Sequence, residues 1–184
     1  DIKVCSYAGD LNLISDIDKI IESAKLNFKS FDILINSAGI FEIKSLKEST
    51  LQDFEKTFNI NVRAPFIFTK TFSENMILNK FGRIVNIGSS SSYNGFEKSS
   101  LYCASKHSLL GFSRSIHSEL KSKNVRTFCL SPGSTRTKMG KKSVNQNYNT
   151  FIDPIEIAEV VTFLISFDNE MIIDEIRLNR MLIQ

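Results

Sequence analysis

The sequence has no tryptophan and only three prolines, eight glycines and three cysteines in 184 residues. Cys5, Cys103 and Cys129 are too few and too scattered for a disulfide framework, so a reducing, cytoplasmic setting is expected. None of them stands in a metal-ligand spacing, and His107 and His117 complete none, so no metal is expected. No apolar run approaches the length of a membrane span, and the first residues carry no signal-peptide pattern. Charge of one sign is missing too. The 23 basic and 20 acidic residues are interspersed, for a net +3, which is not the single-sign face of a nucleic-acid binder. Neither nucleic acid nor membrane is an expected partner. Lys138, Lys141 and Lys142 read as a charged loop rather than an anion site.

What is present is a chain 42% hydrophobic, long enough for one substantial core, read as a single domain over 1–184. Element types alternate. Ile2–Ser6 reads as a short strand and Ser15–Asn27 as a helix, with Ser15 and Asp18 as a loose capping box. Ile33, Leu34 and Ile35 form an apolar run, expected in a strand over Asp32–Asn36 buried on both faces. A long helical stretch runs from about Thr50 to Asn79. Within it Pro65 follows Asn61 by four residues and offers no N–H, so a kink is expected that frees the Asn61 carbonyl to hold water. Arg83–Ile87 reads as a strand, Ser99–Lys121 as a helix and Val125–Leu130 as a strand. The polar stretch 134–152 reads as a substrate loop or lid. Asp153-Pro154-Ile155-Glu156 starts a helix, with Asp at the N-cap and Pro at the first position. Asp174–Arg180 reads as a last strand, with Ile176 and Leu178 on one side. The fifteen phenylalanines are assigned to the core.

Apolar strands alternating with helices predict an α/β fold, a doubly wound parallel sheet with helices on both faces. In such sheets ligands bind beyond the C-terminal strand ends. Those ends read Asp10-Leu11, Asn36-Ser37-Ala38-Gly39, Gly88-Ser89-Ser90 and Pro132-Gly133, all small or polar. Tyr102 and Lys106 are one helical turn apart on one face. A nearby ammonium favours the phenolate and tunes a tyrosine for proton exchange with an alcohol or carbonyl oxygen. His107 turns off that face and reads as packing or surface, as do His117 and the cysteines.

Ser89 lies thirteen positions before Tyr102. With Gly82-Arg83-Ile84-Val85-Asn86-Ile87-Gly88-Ser89, Tyr102-Cys103-Ala104-Ser105-Lys106, Asn36-Ser37-Ala38-Gly39, Asn61-Val62 and Pro132-Gly133 in order, the chain resembles the classical short-chain dehydrogenase/reductase family from Gly9 to about Ser166. The resemblance implies a Rossmann-like oxidoreductase that moves hydride between NAD or NADP and a small carbonyl/alcohol substrate. Tyr102 would be the acid/base. Lys106 would lower its pKa and bind the nicotinamide ribose, Ser89 would polarise the substrate oxygen, and Asn61 would support a relay water. For the cofactor, Asp10 and Leu11 would meet the adenine, and Asn36, Ala38 and Gly39 would line the cleft. Pro132, Gly133, Thr135 and Thr137 would flank the nicotinamide. The C-terminus lacks the Gly-Gly end common in fatty-acid-type reductases, and Ile173-Asp174-Glu175-Ile176-Arg177-Leu178 resembles instead the ending of members that oxidise 3-hydroxy acids or serine-like compounds; the expected substrate is of the 3-hydroxy acid or 3-oxoacyl type. The resemblance also implies a homodimer or homotetramer, with Leu109, Phe112, Ile116, Phe66 and Phe72 as candidates for the paired face.

Two departures stand out. Ser37 replaces the second asparagine of the family's Asn-Asn-Ala-Gly. The family's opening strand and glycine-rich phosphate turn have no counterpart, and Asp1 falls where the family's third strand begins. The N-terminal strand–helix units are therefore expected to be missing from a processed, trimmed or truncated chain that binds dinucleotide weakly, turns over poorly and aggregates. The rival expectation, from a different class, is a catalytically inactive dimerising or binding remnant of the same fold.

Overall fold

The structure is a computed structural model that describes residues 2–143 and 146–181. Four parallel strands form one sheet in chain order: β1 (Ile33–Asn36), β2 (Gly82–Ile87), β3 (Val125–Pro132) and β4 (Glu175–Leu178). The helices are α1 (Ile14–Asn27), α2 (Leu51–Phe58), α3 (Ala64–Asn79), α4 (Ser100–Leu120) and α5 (Pro154–Ser166). Successive strand residues face opposite sides, so the sheet has two cores. Phe72, Met76, Ile84, Leu120 and Val125 fill one, joined by Ile21 and Ala24 of α1. Val85, Phe128, Leu130, Val161 and Leu164 fill the other, beneath α5, with Ile176 and Leu178 packed against them. Helices on both faces of a parallel sheet are the Rossmann-like arrangement expected.

Several local expectations need correction. Ile2–Ser6 forms no strand, and Ile2 and Val4 are almost wholly exposed. The segment lies outside the sheet, whose edge strand β1 pairs only with β2. β1 is not buried on both faces either: Ile33 and Ile35 are each 46% exposed. Leu34 packs into the α1–α3–α4 core, whereas Ile33 and Ile35 face the α5 side, where α5 covers only the neighbouring strands. Helix α1 is capped at Leu13 rather than Ser15, without a side-chain bond, and Asp16 instead accepts from the Asp10 N–H. Among the phenylalanines, Phe54, Phe66, Phe96 and Phe163 are exposed and only some of the fifteen are core.

Other expectations hold. The long helix breaks where Asn61 and Pro65 required it, through a π-helical turn over Asn59–Arg63 between α2 and α3. Asp153 caps α5 in a full capping box with Glu156. The segment 134–152 carries only short 3₁₀ turns and one bridge, Thr135 to Ile152, and its residues 144 and 145 lie outside those described. No described helix is long and apolar enough to cross a membrane.

The N-terminal end of the sheet is closed by a residue the sequence did not single out. Arg83 is fully buried, and its guanidinium donates to the carbonyls of Phe167, Gly82 and Asn124 and to Asp168. Beside it, Gly82 lets α3 approach the strand. A Cβ there would stand 2.6 Å from the Met76 Cβ. Gly82→Ala should therefore lower stability by about 1–3 kcal/mol in urea denaturation, the usual cost of overpacking a filled core; an unchanged midpoint would contradict this packing.

Candidate active site

Beyond the C-terminal ends of β1, β2 and β3 the chain runs into Ser37–Gly39, Gly88–Ser90 and Gly133, side by side through the ladder. Asn36 and Asn86 are cross-strand partners at that end. Their side chains meet at 2.8 Å, and Asn86 donates onward to Ser113 of α4 at 2.9 Å. This buried chain of amides ties both strand ends to the helix that carries Tyr102 and Lys106. Two asparagines inside apolar strands were its signal in the sequence.

Asn61, on the π-helical turn and 1% exposed, makes a second suture. Its Oδ1 accepts from the Ile40 N–H at 2.8 Å, and its Nδ2 donates to the Ile40 carbonyl and to Ser105 of α4, both at 3.0 Å. Every polar atom of this side chain is thus engaged within the protein.

Lys106 is buried without a carboxylate partner, and its Nζ donates to the Ile87 carbonyl at 2.7 Å. Burial lowers its pKa from 10.5 to about 8. The ammonium stands 5.8 Å from the Tyr102 ring centre. Tyr102 itself is pushed above its ordinary 10: burial raises it, and the neighbouring Ser89 side chain pulls partly the other way. The net direction is therefore opposite to the one expected: desolvation of the phenol outweighs the lowering expected from Lys106. Phe41 packs edge-on against Tyr102 with ring centres 4.8 Å apart, and Lys142 of the 134–152 loop donates to the Phe41 carbonyl at 3.0 Å.

Ser89 caps a 3₁₀ turn over Ser90–Ser92. Its Oγ accepts from the Ser91 N–H at 3.1 Å, and its own N–H donates to the Ser92 Oγ at 3.1 Å. The four candidate catalytic residues therefore come together: Tyr102 and Lys106 on α4, Asn61 through Ser105 of the same helix, and Ser89 close enough to the Tyr102 phenol to act on its pKa.

The candidate cofactor residues divide. Leu11, Asn36 and Ala38 line one apolar groove of about 490 Å³ between α1, β1 and α3. The Asn36 amide is spent on Asn86 and Thr69, which leaves its backbone and flank to the groove. Asp10 sits at the groove's rim, where its Oδ1 accepts from the Asn12 N–H. Asn59 and Arg63 of the π-helical turn hold this loop at Asn12. Gly39 lies at the other end: a Cβ there would stand 3.3 Å from Asn61 Oδ1 and 3.7 Å from Lys106 Nζ. Pro132 ends β3, and the Gly133 N–H donates to the Leu178 carbonyl. Thr135 donates to the Gly133 carbonyl, and Thr137 accepts from the Gly140 N–H.

A buried cation without a carboxylate, beside a glycine, suits the ribose and nicotinamide half of a dinucleotide. No glycine-rich turn for the pyrophosphate occurs among the described residues.

Comparison with known proteins agrees with this arrangement. The short chain dehydrogenase family profile matches residues 1–148. The chain belongs to the short-chain dehydrogenase family. The 3-oxoacyl-acyl-carrier-protein reductase FabG of Buchnera aphidicola subsp. Baizongia pistaciae is 31% identical over 176 residues, covering 91% of this chain and 72% of the relative. The FabG of Aquifex aeolicus is 32% identical over 174 residues, covering 89% and 70%. Among solved structures, a 4-hydroxyisoleucine dehydrogenase mutant complexed with NADH and succinate superposes with a TM-score of 0.82 at 30% identity, covering 92% of this chain and 74% of that one. A metagenomic short-chain oxidoreductase in complex with NADP gives 0.79 at 26% identity, covering 96% and 74%.

The lysine makes stability pH-dependent in a defined direction. Between pH 8 and 10.5 folded Lys106 has lost its proton while unfolded Lys106 keeps it, so stability rises with pH there. Lys106→Met should remove that rise, worth ~3 kcal/mol. Denaturation of both proteins at pH 7, 9 and 10.5 reads it, and parallel stability curves would contradict the assignment.

Proposed function

We propose that this short-chain oxidoreductase transfers hydride between NAD(P) and a carbonyl/alcohol pair through Ser89, Tyr102, Lys106 and Asn61, with a 3-oxoacyl or 3-hydroxy acid compound as substrate. The observation that carries the reading is the buried, carboxylate-free Lys106, its Nζ on the Ile87 carbonyl and 5.8 Å from the ring centre of Tyr102. Bound NAD(P) supplies or accepts the hydride. Lys106, Gly39, Pro132, Gly133, Thr135 and Thr137 hold its nicotinamide half, and Asp10, Leu11, Asn36 and Ala38 its adenine end.

The Ser89 oxygen already accepts from the Ser91 N–H, so its own proton is free to donate to the substrate oxygen. Tyr102, kept protonated at neutral pH by burial, gives the second hydrogen bond and then the proton when the carbonyl is reduced. In the reverse direction the Lys106 ammonium favours the phenolate that takes the alcohol's proton. Asn61 acts by its backbone: its side chain is fully engaged, and Pro65 offers its carbonyl no N–H at the i+4 position, so that oxygen is assigned to a relay water. The substrate class rests on the 3-oxoacyl reductases among the relatives and on the sequence of β4.

The reading includes a cytoplasmic setting, in line with three free cysteines, and a homodimer or homotetramer. Leu109 and Phe72 are buried in the subunit and drop out of the paired face. Phe66 and Phe112 remain, on α3 and α4, with ring centres 6.1 Å apart and Phe66 about half exposed. Light scattering at micromolar concentration should give a multiple of the subunit mass, and a clean monomer would refute it. For the chemistry, Tyr102→Phe should lower kcat by roughly 10²–10⁴-fold with NAD(P)H binding retained. Near-wild-type turnover by that variant would overturn the mechanism.

A further inference from the structure

Ser89 stands on a short serine-rich turn whose far end is anchored to two other parts of the fold. Tyr93 closes the turn, with its N–H on the Ser90 carbonyl at 3.2 Å. Its hydroxyl donates to the Glu175 Oε2 of β4 at 2.9 Å. The same carboxylate accepts both arms of Arg114 on α4, Nε to Oε1 and Nη2 to Oε2. Arg177, two residues along β4, lays its guanidinium 4.3 Å from the centre of the Tyr93 ring. Arg114 lies eight residues beyond Lys106 on one uninterrupted helix, about 12 Å along its axis. Glu175 therefore grips both the turn that carries Ser89 and the helix that carries Tyr102 and Lys106.

We propose that Tyr93, Glu175 and Arg114 form a positioning clamp that sets the Ser89 hydroxyl against Tyr102. The proposal rests on the reading of Ser89 as a ligand of the substrate oxygen. Both hydroxyls must reach one oxygen, and the turn, with Ser91 and Ser92 buried, ends at Tyr93, whose hydroxyl ties it through Glu175 to β4 and α4. The clamp stays in its bonding state across the neutral range. Arg114 holds the Glu175 carboxyl below its ordinary value, and burial together with Glu175 pushes the Tyr93 phenol up to about 12, so a proton donor always meets a charged acceptor. The Arg114 side chain is 57% exposed, so the ion pair adds little to global stability. Its effect falls on geometry, where a small displacement of a reacting group is costly in rate.

This separation of rate from stability is what the experiment reads. In the native protein, assayed with a 3-oxoacyl or 3-hydroxy acid substrate, Tyr93→Phe and Glu175→Gln should each lower kcat by about ten- to a hundredfold. The melting temperature and NAD(P)H affinity should stay near wild type, with KM little changed. Arg114→Lys should retain more activity than Arg114→Ala. In a Ser89→Ala background, Tyr93→Phe should cost almost nothing further, because the group it positions is gone. If Ser89→Ala is itself fully active, the clamp and the reading of Ser89 both fail. If Ser89→Ala is impaired while Tyr93→Phe and Glu175→Gln keep wild-type kcat, the clamp alone is overturned. The same holds if Tyr93→Phe carries its full penalty in the Ser89→Ala background. Tyr93→Phe removes one oxygen from a half-buried ring, so it keeps the test decisive even if a charge-changing variant fails to fold.

Discussion

The ammonium of Lys106, buried and answered by one backbone carbonyl, is the constraint around which the site is arranged. A cation out of water is costly unless something receives it. The Ile87 carbonyl does so at the end of β2, which fixes the height of α4 over the sheet. Once α4 stands there, Tyr102 is placed one turn before the lysine, and Ser105 between them meets Asn61. Asn61 in turn holds Ile40, so the loop after β1 is drawn over the same point. The lysine thus holds the fold together at the point where the proposed mechanism needs it, and burial brings its pKa down to about 8.

Polar bonds inside an apolar fold carry the rest of the placement. The amides of Asn36 and Asn86 reach Ser113, the Asn61 side chain links Ile40 to α4, and Glu175 links the Ser89 turn to α4. Each begins at a sheet end or an adjoining loop and finishes on α4. The two hydrophobic cores set the layers within the usual tolerance of side-chain packing. The directional bonds then set which hydroxyl meets which.

Much of this was legible in the sequence. The parallel sheet followed from apolar strands alternating with helices. The break at Asn61 followed from a missing N–H at Pro65, though the form it took, a π-helical turn, did not. The capping box at Asp153 was readable because its partners are local. The reading failed wherever neighbours decide. Ile2–Ser6 has a strand-like composition and no ladder, while Ile33 and Ile35 look doubly buried yet face an uncovered side of the sheet. For the candidate site, Tyr102 and Lys106 were legible as a pair one helical turn apart, and Ser89 and Asn61 through the motifs that resemble the family's. Tyr93, Glu175 and Arg114 are far apart in the chain and carry no local pattern, so only the fold brings them together. The net direction of the Tyr102 pKa was misjudged because a sequence does not show how deeply the phenol is buried.

The central claim is that Ser89 and Tyr102 share one substrate oxygen, with Lys106 behind the tyrosine and the nicotinamide beside Gly39 and Gly133. A crystal structure of the native protein with NAD(P) and a 3-oxoacyl or 3-hydroxy acid ligand tests it most directly. The account predicts the ligand oxygen at about 3 Å from both Ser89 Oγ and the Tyr102 hydroxyl, with a ribose hydroxyl on Lys106 Nζ. A ligand whose oxygen meets neither hydroxyl, or a nicotinamide bound away from Lys106, would contradict it.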